Sequence, residues 1–213
     1  MKKHIFSILC LILGLVIGVG GYLIYDLATS QKEDDTEAVD MVTPVSGTSN
    51  QELIEQSYTV LSYIKARDYD SLSRLVHPEY GVYFSPYSNI TLSSDQWFSP
   101  DMLSAIDKAE EPFVWGVYDG SGEPISMTAE EYFSRFVYDR NFISAPVISV
   151  DRIAKSGNSL ENTAEVFPDC RFVDFYIPAE GEDGLDWSLL RLIYEESDGA
   201  LYLVAIVHNE YTV

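Results

Sequence analysis

The sequence predicts an α+β fold, in which one membrane-spanning helix precedes a domain of helices packed on an antiparallel sheet. Helical patterns dominate the first half of the chain and strand patterns the second, without the strand–helix alternation of α/β folds. A strong hairpin signal, Ser197-Asp198-Gly199, joins the last two strand patterns. An uncharged run of 21 residues, from Ile5 to Tyr25, precedes all of these elements.

The uncharged run predicts the membrane-spanning helix. At about 1.5 Å per residue it reaches roughly 30 Å, the thickness of the hydrocarbon core of a bilayer. Lys2 and Lys3 precede the run and Asp26 follows it, so the positive-inside rule keeps residues 1–4 in the cytoplasm. We therefore expect a single-pass protein of the cell membrane whose C-terminal domain is extracytoplasmic.

Other interpretations of this run remain open. A cleaved signal peptide has an apolar core of only about 7–15 residues and a small-residue cleavage site, so a retained anchor is favoured. Leu9 rather than a small residue precedes Cys10, which favours a membrane-buried side chain over a lipidated one. Gly14 and Gly18 form a GxxxG pair, through which two copies could associate as a homodimer.

Composition excludes one class of partner. The formal net charge is −21 and the acidic residues lie almost entirely beyond Asp26, so the domain repels nucleic acid and anionic lipid. Cys170 is the only cysteine beyond the predicted anchor. We therefore expect no intrachain disulfide and a domain that is stabilised by its hydrophobic core.

The chain divides into three parts. Residues 1–26 form the predicted cytoplasmic tail and anchor, residues 27–50 a polar flexible linker, and residues 51–213 one extracytoplasmic α+β domain. The first helix of the domain begins at Ser49, whose spacing from Glu52 is that of a capping box. Its apolar face recurs at helical spacing: Leu53, Ile54, Tyr58, Leu61 and Ile64.

Five further elements follow in the first half of the domain. Asp70 predicts the cap of a short helix that runs through Leu75 and is ended by Pro78. Strands are expected within 81–87 and 113–118, the second leading into a turn at 119–124. Ser99-Pro100 marks the start of a helix to about Lys108, and Thr128 with Glu131 marks another through a capping box.

The second half of the domain is predicted to be mostly strand. The strand patterns cover Val147–Ile153, Arg171–Ile177, Trp187–Glu195 and Leu201–His208. Since the helices come first and the strands last, we expect one antiparallel sheet with helices packed against it.

This order of elements resembles the nuclear-transport-factor-2-like (cystatin-related) α+β fold. The stretch Asp68-Tyr69-Asp70-Ser71-Leu72 through Leu75-Val76-His77-Pro78 is similar to the second helix of such domains. Several phrases also resemble an uncharacterised family of bacterial extracytoplasmic proteins: Phe84-Ser85-Pro86-Tyr87, Trp115-Gly116, Tyr118 to Pro124, Glu131-Tyr132-Phe133, and Asp186-Trp187 with Leu189 and Arg191. The resemblance implies a curved sheet around a conical pocket, and it implies no particular activity.

His77 and His208 are the only histidines beyond the cytoplasmic tail. Beside a carboxylate such as Asp174 or Glu210, either could act as a general base near neutral pH. The alternative is structural for both residues. His77 would cap carbonyl groups at the end of a helix, and His208 would be a hydrogen-bonded strand residue.

Arg191 is the lone cation on one face of its predicted strand, because strand alternation places it with Trp187, Leu189 and Ile193. It could bind the carboxylate or phosphate of a ligand. It could equally pair with Asp174 on a neighbouring strand, which is common for a partly buried arginine.

Metal and cofactor sites have little support in the sequence. Asp119, Ser121, Glu123 and Glu130 follow part of an EF-hand spacing, but Pro124 stands where that loop needs glycine, which favours a simple turn. The acidic loop 180–186 is expected to be a solvated turn. No nucleophile motif or phosphate-binding glycine loop is present, so we predict no metal and no cofactor.

The first functional hypothesis is a non-enzymatic domain that binds a small molecule or an envelope protein in an aromatic concavity. The expected lining consists of Tyr80, Tyr87, Trp115, Tyr176 and Trp187, with Arg191 as a polar contact. One alternative is a pocket-type enzyme with His77 or His208 as the base. Another is a structural subunit of a secretion or conjugation assembly, for which a filled interior is expected.

Overall fold

The computed structural model describes residues 47–212. Its helices are α1 (Asn50–Ala66), α2 (Tyr69–Ser73), α3 (Pro100–Ser104), α4 (Ala129–Tyr132) and α5 (Thr163–Val166). Its strands are β1 (Val82–Ser85), β2 (Gln96–Phe98), β3 (Phe113–Val117), β4 (Pro124–Met127), β5 (Val147–Val150), β6 (Arg171–Ile177), β7 (Ser188–Ser197) and β8 (Ala200–Glu210).

The predicted anchor over residues 5–25, the Gly14–Gly18 pair and Cys10 lie outside the described residues. The linker predicted over 27–50 is described only from Gly47, where the compact unit begins. Between residues 47 and 212, no helix has the length and apolar character needed to span a bilayer.

Helix α1 begins as its sequence predicts. The Ser49 hydroxyl accepts from the Glu52 N–H and the Glu52 carboxylate accepts from the Ser49 N–H, which completes the capping box. The helix ends at Arg67, whose φ of +55° is left-handed. Its buried face consists of Leu53, Ser57, Val60, Leu61 and Ile64, so Ile54 and Tyr58 lie at the border of the predicted apolar face.

The predicted cap of the second helix is wrong by two residues. Asp68, and not Asp70, accepts the N–H of Ser71, and α2 ends at Ser73. The reason is local, because α1 runs to Ala66 and leaves Asp68 as the residue directly before the new helix.

Six strands form one mixed sheet in the order β2-β1-β8-β7-β6-β5. The β1–β8 pair is parallel and the other pairs are antiparallel, so the prediction of a purely antiparallel sheet is wrong at one position. In this pair Phe84 lies beside Ile206. Non-local pairing of this kind leaves no local turn signal in the sequence.

The β7–β8 hairpin is the longest pairing in the sheet. Asp198 and Gly199 have φ values of +53° and +76°, as a type I′ turn requires, so the predicted hairpin signal is confirmed. A register shift between Ile193 and Tyr194 places a β-bulge in the hairpin, and such a bulge bends a strand.

A second, smaller sheet consists of β3 and β4, and α4 follows it. The capping box of Thr128 and Glu131 is confirmed, and α4 continues into a π-helical turn over Phe133–Val137. Strands β2 and β4 and helix α5 were not predicted. The strand expected over 147–153 ends at Val150, because Asp151 has a φ of +51°.

The large sheet is covered on both faces. On the helix face, Phe175, Leu192 and Ile206 pack in one core with α1 and the π-helical turn. On the opposite face, Ile193 and Ala205 pack with residues of two segments, 86–95 and 151–170, which we call the covering segments. The Asn162 amide group hydrogen-bonds both the N–H and the carbonyl of Ile90, which joins one covering segment to the other.

Aromatic side chains fill the space between the helices and the sheet. Trp115 stacks on Tyr132 with ring centroids 3.9 Å apart, and Phe84 lies edge-on to both rings. Trp115 is fully buried and its indole N–H donates to the Met127 carbonyl. The described interior is therefore a packed core, whereas the resemblance implied a conical pocket at this place.

Candidate functional site

A cleft of about 330 Å³ opens between the loop after β1 and the turn that joins β3 to β4. We call it the Asp95 cleft. Its lining mixes polar and apolar surface and includes the polar side chains of Tyr87, Thr91, Ser94, Asp95, Tyr118 and Asp119. A hollow of this size with convergent polar groups is the usual form of a small-molecule site.

Gly116 brings the two walls of the cleft together. Its φ of +137° is a conformation that side-chain-bearing residues rarely adopt. A Cβ at this position would lie 3.2 Å from Asp95 Oδ1 and 3.3 Å from Pro86 Cγ. The close approach of β3 to the loop after β1 therefore depends on a glycine here.

Asp95 lies on one wall of the cleft, where burial raises the pKa of its carboxyl from 3.8 to about 6. Hydrogen bonds from the Thr91 N–H and the Ser85 hydroxyl lower the pKa and offset only part of this effect. A carboxyl with a pKa near 6 changes its charge close to physiological pH, and such groups concentrate at functional sites.

Asp119 lies on the opposite wall and stays ionised. The Ser159 and Thr212 hydroxyls each donate to its Oδ2 at 2.6 Å, and these bonds lower its pKa. The contacts also tie the cleft to a covering segment and to the residues after β8. Just below pH 6, therefore, Asp95 is mostly protonated while Asp119 is still ionised.

Tyr87 contributes a neutral hydroxyl to the same cleft. Burial raises its pKa to about 12, and the nearby Glu210 carboxylate adds to the shift. Its ring packs edge-on against Phe136 at 5.9 Å. Of the aromatic residues that the sequence predicts as lining, Tyr87 is the one that this cleft contains.

We expect Asp95→Asn to raise the free energy of unfolding by about 1–2 kcal/mol near pH 7.5 and to leave it nearly unchanged near pH 4. Between the unfolded pKa of 3.8 and the folded pKa of about 6, the native carboxyl holds a proton that the unfolded chain releases. Stability is therefore lost as the pH rises through this range, and asparagine removes that loss. Urea titrations followed by tryptophan fluorescence measure it.

The control for this variant is Glu182→Gln, which removes one charge from an exposed loop position. It should leave stability within about 0.5 kcal/mol at both pH values. A loss of stability in Asp95→Asn near pH 7.5, or an equal change at both pH values, would contradict the assignment of the raised pKa.

The structure places Arg191 in an internal ion network. Its Nε and NH2 donate to Asp174 at 2.6 and 2.9 Å, and its NH1 donates to Glu161 and to the Thr163 hydroxyl. The side chain is 1% exposed and Asp174 is fully buried. Of the two roles that the sequence left open for Arg191, the structure shows the pair with Asp174, and the guanidinium group is buried.

His208 lies in a sealed polar cluster. Its Nε2 is 3.3 Å from Ser188 Oγ and 3.5 Å from Asp139 Oδ1, and its Nδ1 is 3.3 Å from the Pro86 carbonyl, to which it donates. Ser188 and Asp139 thus approach the same ring nitrogen of His208. In a hydrolase triad the serine and the aspartate lie at different ring nitrogens. With His208 fully buried, the cluster fixes the last strand and offers no route to a substrate.

Asp139 is the carboxylate partner of His208, where the sequence suggested Asp174 or Glu210. Burial raises the pKa of Asp139, but hydrogen bonds from His208 and Ser188 and the charge of His208 outweigh it, so the pKa is lowered. Glu210 pairs with Arg135 at the surface instead.

His77 is also largely buried, at the end of the α2 region. Its Nδ1 accepts the N–H groups of Glu79 and Tyr80, so the proton of the neutral ring lies on Nε2, 3.9 Å from the Glu195 carboxylate. The histidine therefore organises a backbone turn by accepting two N–H groups, whereas the sequence suggested that it would cap helix carbonyl groups. Its ring lies beneath that of Tyr80, stacked at 4.3 Å.

The other predicted lining residues do not converge with Tyr87. Trp115 belongs to the core, where it contacts no cleft. Trp187 and Tyr176 lie near each other, with centroids 6.2 Å apart, and Lys155 contacts the Trp187 ring. Tyr80 is exposed beside His77. The expected aromatic concavity is therefore divided among separate places in the described domain.

The partial EF-hand spacing does not form a ligand cluster. Glu130 lies 3.7 Å from Arg67 Nε, whereas Asp119 is bonded to Ser159 and Thr212. In the described range, no three His, Cys, Asp or Glu side chains are grouped in a way that could hold a metal ion.

Sequence reasoning missed Asp95, the residue at the centre of the cleft. Only a general signal was present, because Ser94-Asp95 falls in a polar stretch between two strand patterns. Conversely, Asp119 was considered only as a calcium ligand, and its bonds to Ser159 and Thr212 cross 40 and 93 residues of sequence.

No family model matches this chain, and no curated protein is similar to it. Among solved structures, it is similar to a putative calcium/calmodulin dependent protein kinase II association domain from Xanthomonas campestris. That match has 11% identity over 78% of this chain and 90% of that one, with a TM-score of 0.33.

Two other solved structures show the same degree of similarity. The association domain of the C. elegans calcium/calmodulin dependent kinase II is 15% identical over 75% of this chain and 93% of that one, with a TM-score of 0.31. An NTF-2 like protein of unknown function from Shewanella oneidensis MR-1 is 8% identical over 76% of this chain and all of that one, with a TM-score of 0.30. At these identities and TM-scores, the matches assign no family, residue or activity to this chain.

Proposed function

We propose that this chain is a membrane-anchored binding protein that takes a small polar ligand in the Asp95 cleft. Residues 5–25 would hold it in the membrane, and residues 51–213 would face outward from the cytoplasm. The nuclear-transport-factor-2-like assignment is part of this proposal. The fold by itself does not indicate a function, because it is found in binding proteins, enzymes and assembly modules.

The observation that carries the proposal is the Asp95 cleft itself. It is a hollow of about 330 Å³ that the side chains of this domain leave open, although they fill the interior beneath it. Asp95 and Asp119 present carboxyl oxygens, which accept hydrogen bonds, on opposite walls of the cleft. The chain as a whole is strongly acidic. The ligand should therefore present hydrogen-bond donors and carry no negative charge.

Binding is favoured over catalysis by the placement of the predicted catalytic groups. His208 is sealed, His77 Nδ1 is occupied by two backbone N–H groups, and Arg191 is bonded to two carboxylates. A general base must reach the proton that it removes. Neither histidine meets that requirement at the Asp95 cleft, since neither lines it.

The proposed anchoring rests on the sequence of residues 1–26. Protease added to intact, wall-stripped cells should remove a tag placed after Val213. Sodium carbonate extraction should leave the full chain in the membrane fraction. A protected tag, or a mature chain that begins beyond Asp26, would contradict this part of the proposal.

A second candidate function is docking of a partner protein in an envelope assembly. The filled aromatic interior favours it, because a packed interior is expected for a structural subunit of an assembly. A partner would bind over a surface of roughly 800 Å² or more on this domain, whereas a small ligand would be enclosed by one cleft.

A blocked cleft separates these two functions. We expect Ser94→Trp to abolish the stabilisation that a ligand gives to the full-length protein in maltoside micelles. The screen uses neutral sugars, polyols and amines, and thermal unfolding is followed by tryptophan fluorescence. A ligand present at about 100 times its Kd stabilises the wild type by about 2.7 kcal/mol, which a melting curve resolves easily.

Ser62→Trp is the matched control, because it adds the same side chain at an exposed position on α1, away from the cleft. It should respond to the ligand as the wild type does. If Ser94→Trp responds equally well, the ligand binds elsewhere. If no compound stabilises the wild type but Ser94→Trp loses a co-purifying protein, docking replaces ligand binding as the function.

A further inference from the structure

Two small hollows meet at Tyr80 and Glu195 and share no lining residue with the Asp95 cleft. One has a volume of about 180 Å³ and is lined by Tyr80, Tyr83, Phe167, Cys170, Glu195 and Val204. The other has a volume of about 200 Å³ and shares Tyr80 and Glu195, with His77, Glu79, Asp198 and Tyr202 among its other lining residues. We call the pair the Tyr80 hollows.

Three aromatic rings line the first hollow, and Tyr80 stands at the boundary between the two. Tyr80 is 58% exposed, a large value for a residue whose neighbours Val82 and Val76 are buried. Its ring is held by stacking on the His77 ring, and its carbonyl accepts the Trp97 indole N–H at 2.6 Å. An ordered aromatic ring is thus presented to solvent at the mouth of an apolar hollow.

His77 fixes this arrangement from below. Its Nδ1 accepts the Glu79 and Tyr80 N–H groups, which sets the turn after α2. Its ring also lies edge-on to Tyr202, with centroids 5.3 Å apart. The His77 and Trp97 side chains therefore position Tyr80, whose ring has one face stacked on His77 and is still more than half exposed.

Carboxylates surround the rings. Glu195 lines both hollows and is about one-third exposed, and Glu79 and Asp198 line the second. Among residues 47–212, no lysine or arginine lines either hollow. The Cys170 thiol lies in the same negative field, since burial and then the charges of Glu195 and Asp169 raise its pKa to about 11.

We propose that the Tyr80 hollows bind the ammonium group of an organic cation, with the rings of Tyr80, Tyr83 and Phe167 around it and Glu195 as its counter-ion. Aromatic faces attract cations within about 6 Å of the ring centroid, and a combination of several rings with a carboxylate is the usual receptor for alkylammonium groups. The three carboxylates repel an anion, and a neutral apolar ligand would gain no attraction from the charge of Glu195.

This site is separate from the Asp95 cleft, and it does not depend on the function proposed for that cleft. Only Glu195 and the rings are needed, and each of them can be altered without changing the residues that line the other cleft. The ammonium group could belong to a free amine or to a lysine side chain, and the test distinguishes these sources.

Isothermal titration of the full-length protein in maltoside micelles tests the proposal with three probes. Choline supplies the cation, and 3,3-dimethyl-1-butanol is its neutral isostere. A lysine-containing tripeptide represents a protein source. We expect choline to bind the wild type and the neutral isostere to bind at least about tenfold more weakly. Tighter binding of the tripeptide than of choline would assign the site to lysine side chains.

Variants on and beside the hollows make the result specific. Glu195→Gln and Tyr80→Ala should each weaken choline binding about tenfold, whereas Tyr80→Phe should retain it because the ring remains. Glu196→Gln is the matched control, because that carboxylate accepts the Thr48 N–H on the other side of the strand. Glu195→Gln keeps the shape of the side chain, so it remains informative if Tyr80→Ala fails to fold.

Three results would overturn the proposal. The first is the absence of binding by choline and by the tripeptide to the wild type. The second is equal affinity for choline and its neutral isostere. The third is an equal effect of Glu195→Gln and Glu196→Gln, which would show that general acidity of the surface, and not the hollows, attracts the cation.

Discussion

Arg191→Met is expected to lower the free energy of unfolding by about 3–5 kcal/mol near neutral pH, one of the two largest effects we predict for a single substitution. The substitution removes the guanidinium group but leaves Asp174, which is fully buried and otherwise receives only the Ala154 N–H. An ionised carboxylate without its partner in such a place costs several kcal/mol. Urea unfolding followed by tryptophan fluorescence measures the loss.

The pH dependence of this variant has a definite sign. Burial raises the pKa of Asp174, and Arg191 opposes that shift. Without the arginine, the folded-state pKa rises further above the unfolded value, so the native state favours the protonated acid. The destabilisation should therefore grow as the pH rises through the folded-state pKa and should shrink in acid.

Two further variants test the explanation. Arg191→Met combined with Asp174→Leu removes both charges, so it should recover much of the lost stability, with Glu161 at the partly exposed edge as the remaining charge. Arg152→Met changes an exposed arginine and should cost less than about 0.5 kcal/mol. A loss below 1 kcal/mol in Arg191→Met would contradict the role of the ion pair.

Trp115→Ala is expected to cost about 3–5 kcal/mol, because it removes the largest fully buried side chain of the aromatic core. The indole stacks on Tyr132 and contacts Phe84, Phe98 and Phe113, so its loss leaves a cavity that rigid rings cannot close. The Met127 carbonyl would also lose the indole donor.

Val114→Ala is the control for this prediction, since Val114 precedes Trp115 on the same strand and is 53% exposed. It should change stability by less than about 0.5 kcal/mol. Tryptophan fluorescence still reports on unfolding through Trp97 and Trp187. If Trp115→Ala were as mild as Val114→Ala, the indole would line an open pocket, as the sequence first suggested.

Local signals in the sequence predicted local structure well. Ser49, Ser99 and Thr128 cap the helices that their spacing indicates, and Ser197-Asp198-Gly199 forms the hairpin turn. Strand alternation placed Arg191 on a face where Asp174 was a possible partner, and the two side chains do pair. Each of these features depends on residues in one segment or on the period of one strand.

Features that join distant segments were beyond the same reasoning. The parallel pairing of β1 with β8 joins residues more than a hundred positions apart, and no turn connects them. Trp115 has a place in the core rather than in a pocket because four other segments close around it. The Asp95 cleft depends on Gly116, whose φ is set by the approach of a separate loop.

The order of the strands in the sheet also determines when the sheet can assemble during synthesis of the chain. β8 lies between β1 and β7, although it is the last strand in chain order. The β1–β2 pair can therefore join β5, β6 and β7 only after residues 200–210 have been synthesised. The six-stranded sheet is therefore completed only by the last strand of the described domain.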